Sequence, residues 1–202
     1  MKTWADFLPL VLPRVPGCPE LVAEDEIRNA AIDFYQRSLA WRMWTPGVAM
    51  VAGQALYTPT LPAGAQMVRV HAATLAGSPL DVTTADAVDG SAGLPNAVYT
   101  DDLRKLGVWP IPGAAGALLT ARVSLAPTES SPGIDDALFD QHRLGIASGA
   151  ISRIAGQAGK PYTNGSVQAE HDGRFEAAIV DARSRAGRGN SSARRRVSGV
   201  FF

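Results

Sequence analysis

The chain has 202 residues, of which 46% are hydrophobic and 19% charged, and its 19 basic and 19 acidic side chains cancel. That balance is typical of a globular protein with its own core and excludes a disordered chain. A single cysteine, Cys18, excludes an intrachain disulfide. Because no stretch of about 18 apolar residues occurs, we expect no membrane-spanning helix and no membrane partner.

The charges are distributed unevenly. Residues 1–182 carry 13 Lys and Arg residues and all 19 Asp and Glu residues, a net charge of −6, whereas residues 183–202 carry six arginines and no acid. A basic segment therefore follows an acidic body. Nucleic acid, a membrane and another protein are the candidate partners of such a segment. The membrane is not expected, because a membrane anchor needs more apolar length, or a lipid, than the two terminal phenylalanines supply.

Prolines punctuate the first twenty residues and favour an extended, polyproline-like lead-in over residues 1–18. The lead-in is also apolar, with Trp4, Phe7 and Leu10 among its side chains. Because so apolar a terminal segment is unfavourable in water, we expect it to pack on its own chain or on a neighbour. These three residues are candidates for a subunit interface.

A first helix is predicted from about residue 19 to 43. Ala23, Ile27 and Phe34 recur at helical spacing, and acidic residues in the first turns suit the positive end of the helix dipole. From residue 48 to 127, short β-rich runs separated by Gly and Pro replace that period. They predict about six antiparallel strands, arranged as a small sandwich or a curled sheet.

Helical spacing returns in two later segments. One runs from about 134 to 154 with Asp135 or Asp136 near its N-terminal cap, and the next starts at Asn164 or Ser166 and ends near residue 187. The first of them also carries many small residues, which lower helix propensity and are tolerated where another backbone comes close. Its two mid-helix glycines are therefore further candidates for a subunit interface: Gly145 and Gly149.

These elements predict an α+β fold. Helices within residues 19–47 and 128–187 form a three-helix bundle, the helical body, and residues 48–127 form an antiparallel, β-sandwich-like domain inserted between its first two helices. Residues 188–202 form an extended C-terminal arm.

No motif points to chemistry. The stretch "GQAGKP", residues 156–161, contains the Gly-Lys pair that ends a P-loop motif. The motif also needs glycine at position 154, where Ile154 stands, and Ser or Thr at position 161, where Pro161 stands. In "GIASGA", Ile146 stands where the hydrolase elbow needs glycine. The three histidines lack metal-ligand spacing and are expected to be solvated or locally bonded: His71, His142 and His171. We predict no catalytic, cofactor-binding or metal-binding site, and no enzyme.

Four segments of the sequence, and the order in which they occur, resemble those of a known family: residues 18–42, 61–80, 101–130 and 135–186. The chain resembles the head-to-tail adaptor (connector) proteins of tailed bacteriophages, including the tail tubular protein A type. The resemblance implies a structural virion protein at the head-tail interface, assembled in the host cytoplasm. It implies a ring, usually a dodecamer, that lies between the portal protein and a downstream tail or nozzle protein and lets genomic DNA pass without sequence specificity. It also implies that the helices form the ring body, that the β domain faces the tail and that a terminal arm reaches the portal or a neighbouring subunit.

The C-terminal arm combines arginines with apolar and aromatic residues. Arginine and aromatic side chains are enriched at protein interface hot spots, whereas a purely electrostatic DNA arm gains nothing from apolar ends. We therefore expect six residues to bind a partner protein: Arg194, Arg195, Arg196, Val200, Phe201 and Phe202. The alternative is a nucleic-acid-binding protein that uses the basic arm, against which the acidic body argues.

Overall fold

The computed structural model of the chain describes residues 1–100 and 102–189 and shows helices and strands in one α+β fold, which confirms the predicted class. Its α-helices are Leu8–Val11 (α1), Glu20–Ser38 (α2), Asp136–Ala155 (α3) and Gly165–Arg188 (α4). Its strands are Lys2–Thr3 (β1), Arg42–Trp44 (β2), Val48–Ala49 (β3), Leu56–Tyr57 (β4), Ala65–Leu75 (β5), Ser78–Val82 (β6), Ala92–Gly93 (β7), Ala97–Tyr99 (β8), Leu106–Trp109 (β9), Ile111–Pro112 (β10), Leu118–Pro127 (β11) and Gly133–Ile134 (β12).

Helix α2 buries the stripe that its sequence predicts, including Ala23, Ile27 and Phe34. The predicted end near residue 43 was wrong. Leu39 adopts the left-handed conformation, with φ of 55°, and ends the helix, after which β2 pairs with β11. The backbone hydrogen bonds of residues 42–44 are therefore made in the sheet rather than in a last helical turn.

Helices α3 and α4 begin where their caps predict. The Asp135 carboxylate accepts the backbone N–H of Ala137, and the Asn164 side chain accepts those of Ser166 and Val167. Each capping side chain accepts hydrogen bonds from backbone N–H groups that have no partner within the first turn of the helix. The two helices then pack along one another and on α2, with ion pairs such as Arg153 to Asp33 at the surface.

The predicted extended conformation of residues 1–18 was wrong. After β1, the chain forms 3-10 turns on either side of α1. Trp4 and Phe7 are buried, and the indole N–H of Trp4 donates to the Ser131 carbonyl at 2.7 Å. Phe7 meets Phe139 edge-to-face at 4.7 Å between ring centroids. Prolines near helix starts are compatible with short helical turns, and burial of the aromatic rings stabilises those turns here.

The main sheet is one curled sheet of eight strands in the order β2-β11-β5-β6-β8-β9-β4, with β3 also paired to β11. Of the two expected arrangements, the pairing gives the curled sheet. The expectation of a wholly antiparallel domain was wrong, because β6 pairs in parallel with β8 and β7 in parallel with β10. One face of β11 packs Ala121, Val123 and Leu125 into the core of the β region. Further along the strand, Ala126 lies in the helical core instead. The strand β11 therefore connects the two hydrophobic cores.

The glycines of α3 allow close approach within this chain. A Cβ atom on Gly145 would lie 2.8 Å from the Cβ atom of Ala178, and one on Gly149 would lie 2.6 Å from the ring of Phe175. Both neighbours belong to α4. The close packing that these glycines indicate is thus made between α3 and α4 of the same chain.

Gly149→Ala is expected to lower the free energy of unfolding by about 1–2 kcal/mol, because the clash with buried Phe175 outweighs the gain in helix propensity. Gly173, on α4, has open space around it. The matched control Gly173→Ala should raise the same free energy by about 0.5–1 kcal/mol. Urea denaturation of both variants measures the difference, and equal effects would contradict the packing described.

Candidate interaction surfaces

A groove of about 430 Å³ lies between the N-terminal segment, α3 and α4. We call it the helical groove, and its lining includes Leu10, Leu144, Gly145 and His171. Leu144 is 68% exposed at its edge. The guanidinium groups of Arg14 and Arg174 also line the groove. An apolar surface with cationic groups beside it suits an apolar segment that carries acidic side chains.

His171 lies at the base of the helical groove. It is 4% exposed, and its Nδ1 atom has no hydrogen-bond partner among the described residues. Burial lowers the pKa of His171, and the charge of Arg174 lowers it further. Sequence reasoning expected a solvated or locally bonded histidine, whereas the structure shows a buried ring.

The candidate subunit-interface residues separate into two groups. Trp4, Phe7 and Gly149 are buried in the chain's own helical core, so their side chains and backbone are already packed. Leu10 and Gly145 are half-buried and both line the helical groove. Contact with a neighbouring copy stays a prediction for all five residues.

A second surface gathers positive charge on the sheet. Trp44 is paired with Arg122 across β2 and β11, and Ser124 on β11 is paired with Arg42 on one side and Arg69 on the other. We call Arg42, Trp44, Arg69 and Arg122 the basic patch. No acidic side chain of the described residues forms an ion pair with its three arginines.

Hydrogen bonds to the backbone hold one side of the basic patch in place. Arg42 donates from Nε to the Leu39 carbonyl at 2.9 Å and from Nη1 to the Ala186 carbonyl, in the last turn of α4, at 2.8 Å. Ser124 Oγ also donates to the Leu39 carbonyl, at 3.2 Å. His71 Nε2 lies 2.6 Å from Ser124 Oγ, and because that hydroxyl proton is already used, His71 is the donor.

His71 is therefore a neutral ring beside three cations. It is the extra residue of a bulge, since Arg122 pairs with Ala72 and the next residue of β11 pairs with Val70. Partial burial lowers the pKa of His71 to about 4, and the charges of Arg42, Arg122 and Arg69 add to the effect. At neutral pH the positive charge of the patch thus comes from the arginines.

A third surface is apolar and lies at the end of the β region. A depression of about 250 Å³ there is lined by Met50, Leu75, Leu94 and Pro112, among others. Leu94 is 84% exposed at this depression. Such a surface suits an apolar contact with another protein.

A further concavity, of about 670 Å³, lies beside α2 and is polar. Two of its charged groups, Asp33 and Arg153, pair at 3.0 Å. Within residues 1–100 and 102–189, no group of three or more His, Cys, Asp and Glu side chains could hold a metal ion. The helices of the same ranges include none long and apolar enough to span a membrane.

The family model of the SU10 adaptor protein matches residues 3–198. The chain belongs to the SU10 adaptor protein family. A comparison with curated proteins found no match. The family match covers nearly the whole chain and confirms the resemblance to bacteriophage head-to-tail adaptors, a class of structural proteins that act in virion assembly.

The six arm residues predicted to bind a partner lie outside the residues that the structure describes: Arg194, Arg195, Arg196, Val200, Phe201 and Phe202. The family match reaches residue 198 and so includes the three arginines. Their role stays a prediction.

Sequence reasoning missed the basic patch in this SU10 adaptor. Its members are far apart in the sequence, and Arg42 and Trp44 were placed at the end of a helix. The sheet register and the bulge at His71 bring them together, and neither is visible in composition. A partial signal was the alternation in "MVRVHA", which predicts Arg69 and His71 on one face of a strand, opposite the buried Val70. The same alternation also places Met67 beside Arg69, whereas the register shifts of β5 against β11 put Met67 in the core.

The low pKa of His71 predicts a pH dependence of stability. Its pKa is about 4 in the folded chain, against 6.5 for the unperturbed group. Between these values the unfolded chain binds more protons, so the stability contributed by neutral His71 is complete above pH 6.5 and is lost as pH falls towards 4. Because the site is partly solvated, we expect a loss of about 1 kcal/mol, smaller in high salt.

The measurement compares urea unfolding of the wild type and His71→Asn at pH 7 and pH 4.5. The variant has no titrating ring, so its loss of stability over this interval should be the smaller of the two. Identical losses would show that His71 does not titrate as described.

Proposed function

We propose that this SU10 adaptor forms a ring beneath the portal at the capsid vertex and joins the head to the tail, with genomic DNA passing through the central channel. The observation that carries the proposal is the family match over residues 3–198. By resemblance to head-to-tail adaptors the ring is a dodecamer, assembled in the host cytoplasm and located at the head-tail interface of the virion.

Ring closure requires each copy to present two different surfaces to its two neighbours. The helical groove supplies one of them in this proposal, with Leu10 and Gly145 facing the adjacent copy. The groove is concave and partly apolar, and its edge includes the exposed Leu144. These properties favour the insertion of a neighbour's side chain.

The two ends of the subunit contact different partners in this proposal. The β region, residues 48–127, forms an inserted domain that faces the tail, and its apolar depression around Leu94 contacts the downstream tail or nozzle protein. The arm, residues 188–202, binds the portal protein, with Phe201 and Phe202 in an apolar pocket and the arginines facing acidic groups.

Mass photometry and negative-stain microscopy of the purified adaptor, alone and with its portal protein, test ring formation. A ring on the portal is the expected result. An adaptor that stays monomeric and never binds the portal would contradict the proposed function.

Deletion of residues 191–202 is expected to leave a folded protein, because α4 ends at Arg188, before the cut. The arm's anchors are removed, so portal binding should weaken by at least tenfold, measured by pull-down or interferometry. Two matched variants separate the contributions: Phe201→Ser with Phe202→Ser removes the apolar anchors, and substitution of residues 194–196 by alanine removes the charge. Unchanged binding by the deletion variant would refute the role of the arm.

Nucleic-acid binding through the basic arm is the alternative function. It is favoured by the six arginines in residues 183–202 and opposed by the net charge of −6 in the rest of the chain. If it holds, duplex DNA should bind with an affinity that falls steeply with salt, and the deletion should abolish that binding. The absence of any shift of duplex DNA at low salt would exclude it.

A further inference from the structure

The basic patch has the composition of a protein-binding surface. Trp44 is 51% exposed directly beside Arg122, and Arg69 is exposed as well. Tryptophan and arginine are the residues most enriched at interface hot spots. The patch also concentrates like charges without an acidic side chain of the described residues in ion-pair range. An acidic partner would relieve this repulsion.

A complementary surface exists on the same chain, at the start of α2. Leu21 is 77% exposed and lies next to Glu20 in sequence. Glu24 and Asp25 follow at i+3 and i+4 from Leu21, which places all three side chains on one face of the helix. We call Glu20, Leu21, Glu24 and Asp25 the acidic knob. It presents an apolar side chain among carboxylates, as the patch presents an indole among guanidinium groups. Asp25 is already paired with Arg28 at 2.9 Å, whereas Glu20 and Glu24 form no ion pair with a described residue.

We propose that the basic patch binds the acidic knob of a second copy of this chain. Leu21 of one copy packs on Trp44 of the other, and the unpaired carboxylates of Glu20 and Glu24 face Arg69 and Arg122. This contact rests on the proposed function, since the patch and the knob would form, together with the helical groove, the repeated interface between neighbouring copies that a ring requires. None of the residues in this proposed contact was among those predicted from the sequence to lie at an interface.

The two surfaces lie at opposite ends of α2. The helix has 19 residues, which corresponds to about 28 Å. A copy that offers its knob to one neighbour therefore keeps its patch free for another. Repetition of such a head-to-tail contact gives a closed ring when the rotation between copies closes.

Nucleic acid is a poorer occupant of the patch. Arg42 already donates to two backbone carbonyls, so only Arg69 and Arg122 remain for phosphates. Tight binding to duplex DNA uses many such contacts. An exposed indole also has no unpaired base to stack on in a duplex.

A charge-swap experiment on the full chain tests the proposal, with assembly followed by mass photometry over a range of concentrations. Arg69→Glu and Glu24→Arg, each alone, should raise the concentration needed for assembly by at least tenfold, because each places like charges together. A chain that carries both substitutions should assemble within about threefold of the wild type, since the pair is restored with reversed sign. Trp44→Ser should also weaken assembly at least tenfold, because it removes the surface on which Leu21 packs.

The matched control is Lys105→Glu, which makes the same charge change at an exposed position of the β region outside the patch. It should assemble like the wild type. Thermal unfolding monitors the fold of each variant, and rescue by the double variant separates pairing from misfolding. Arg42 is not substituted, because its hydrogen bonds to the Leu39 and Ala186 carbonyls also stabilise the C-terminal ends of α2 and α4.

Three results would overturn the inference: single variants that assemble like the wild type, a double variant no better than the single ones, or wild-type binding of duplex DNA that Arg69→Glu abolishes. In the first two cases a wild-type ring on the portal would leave the proposed function standing. A wild type that forms no ring, either alone or on the portal protein, contradicts both.

Discussion

The carbonyl group of Leu39 joins the helical part of the chain to the sheet. It belongs to a left-handed residue, a conformation that costs about 1 kcal/mol for a side chain of this kind, and it accepts hydrogen bonds from Arg42 and Ser124. Arg42 also reaches the last turn of α4 through the Ala186 carbonyl. One reversal of the backbone thus fixes the end of α2, the start of β2 and the end of α4 relative to one another.

This junction also determines the local electrostatics. A cation near the C-terminal carbonyls of α4 is favourable, so Arg42 is stabilised there without a carboxylate. The register that places Arg42 opposite Ser124 places Arg69 opposite the same residue on the other side. His71, in the bulge between them, is held neutral by its surroundings. The positive surface is therefore a consequence of how helix and sheet are joined.

Local signals in the sequence predicted the helices well where a cap or a stripe exists. Asp135 and Asn164 begin α3 and α4 as expected, because capping is a contact between near neighbours. The conformation of the lead-in and the end of α2 were not predictable in the same way. Trp4 is fixed by Ser131, and Leu39 by Ser124, through contacts that span long stretches of chain. The glycines of α3 did indicate close packing, but composition cannot show whether the partner is α4 or another copy.

Several apolar residues that could have bound another subunit are buried within this chain instead, and this affects how the adaptor can assemble. Trp4, Phe7 and Gly149 are buried within the chain and contribute to its own stability. The exposed apolar features of the described residues that remain include the depression around Leu94 and single side chains, such as Leu21, Trp44 and Leu144, that have charged groups nearby. Small apolar contacts surrounded by charge leave a subunit stable before assembly and make its association depend on complementary charge more than on buried area. Such contacts favour correct pairing of surfaces over tight but unselective association, which suits an adaptor that interacts with other proteins of the virion.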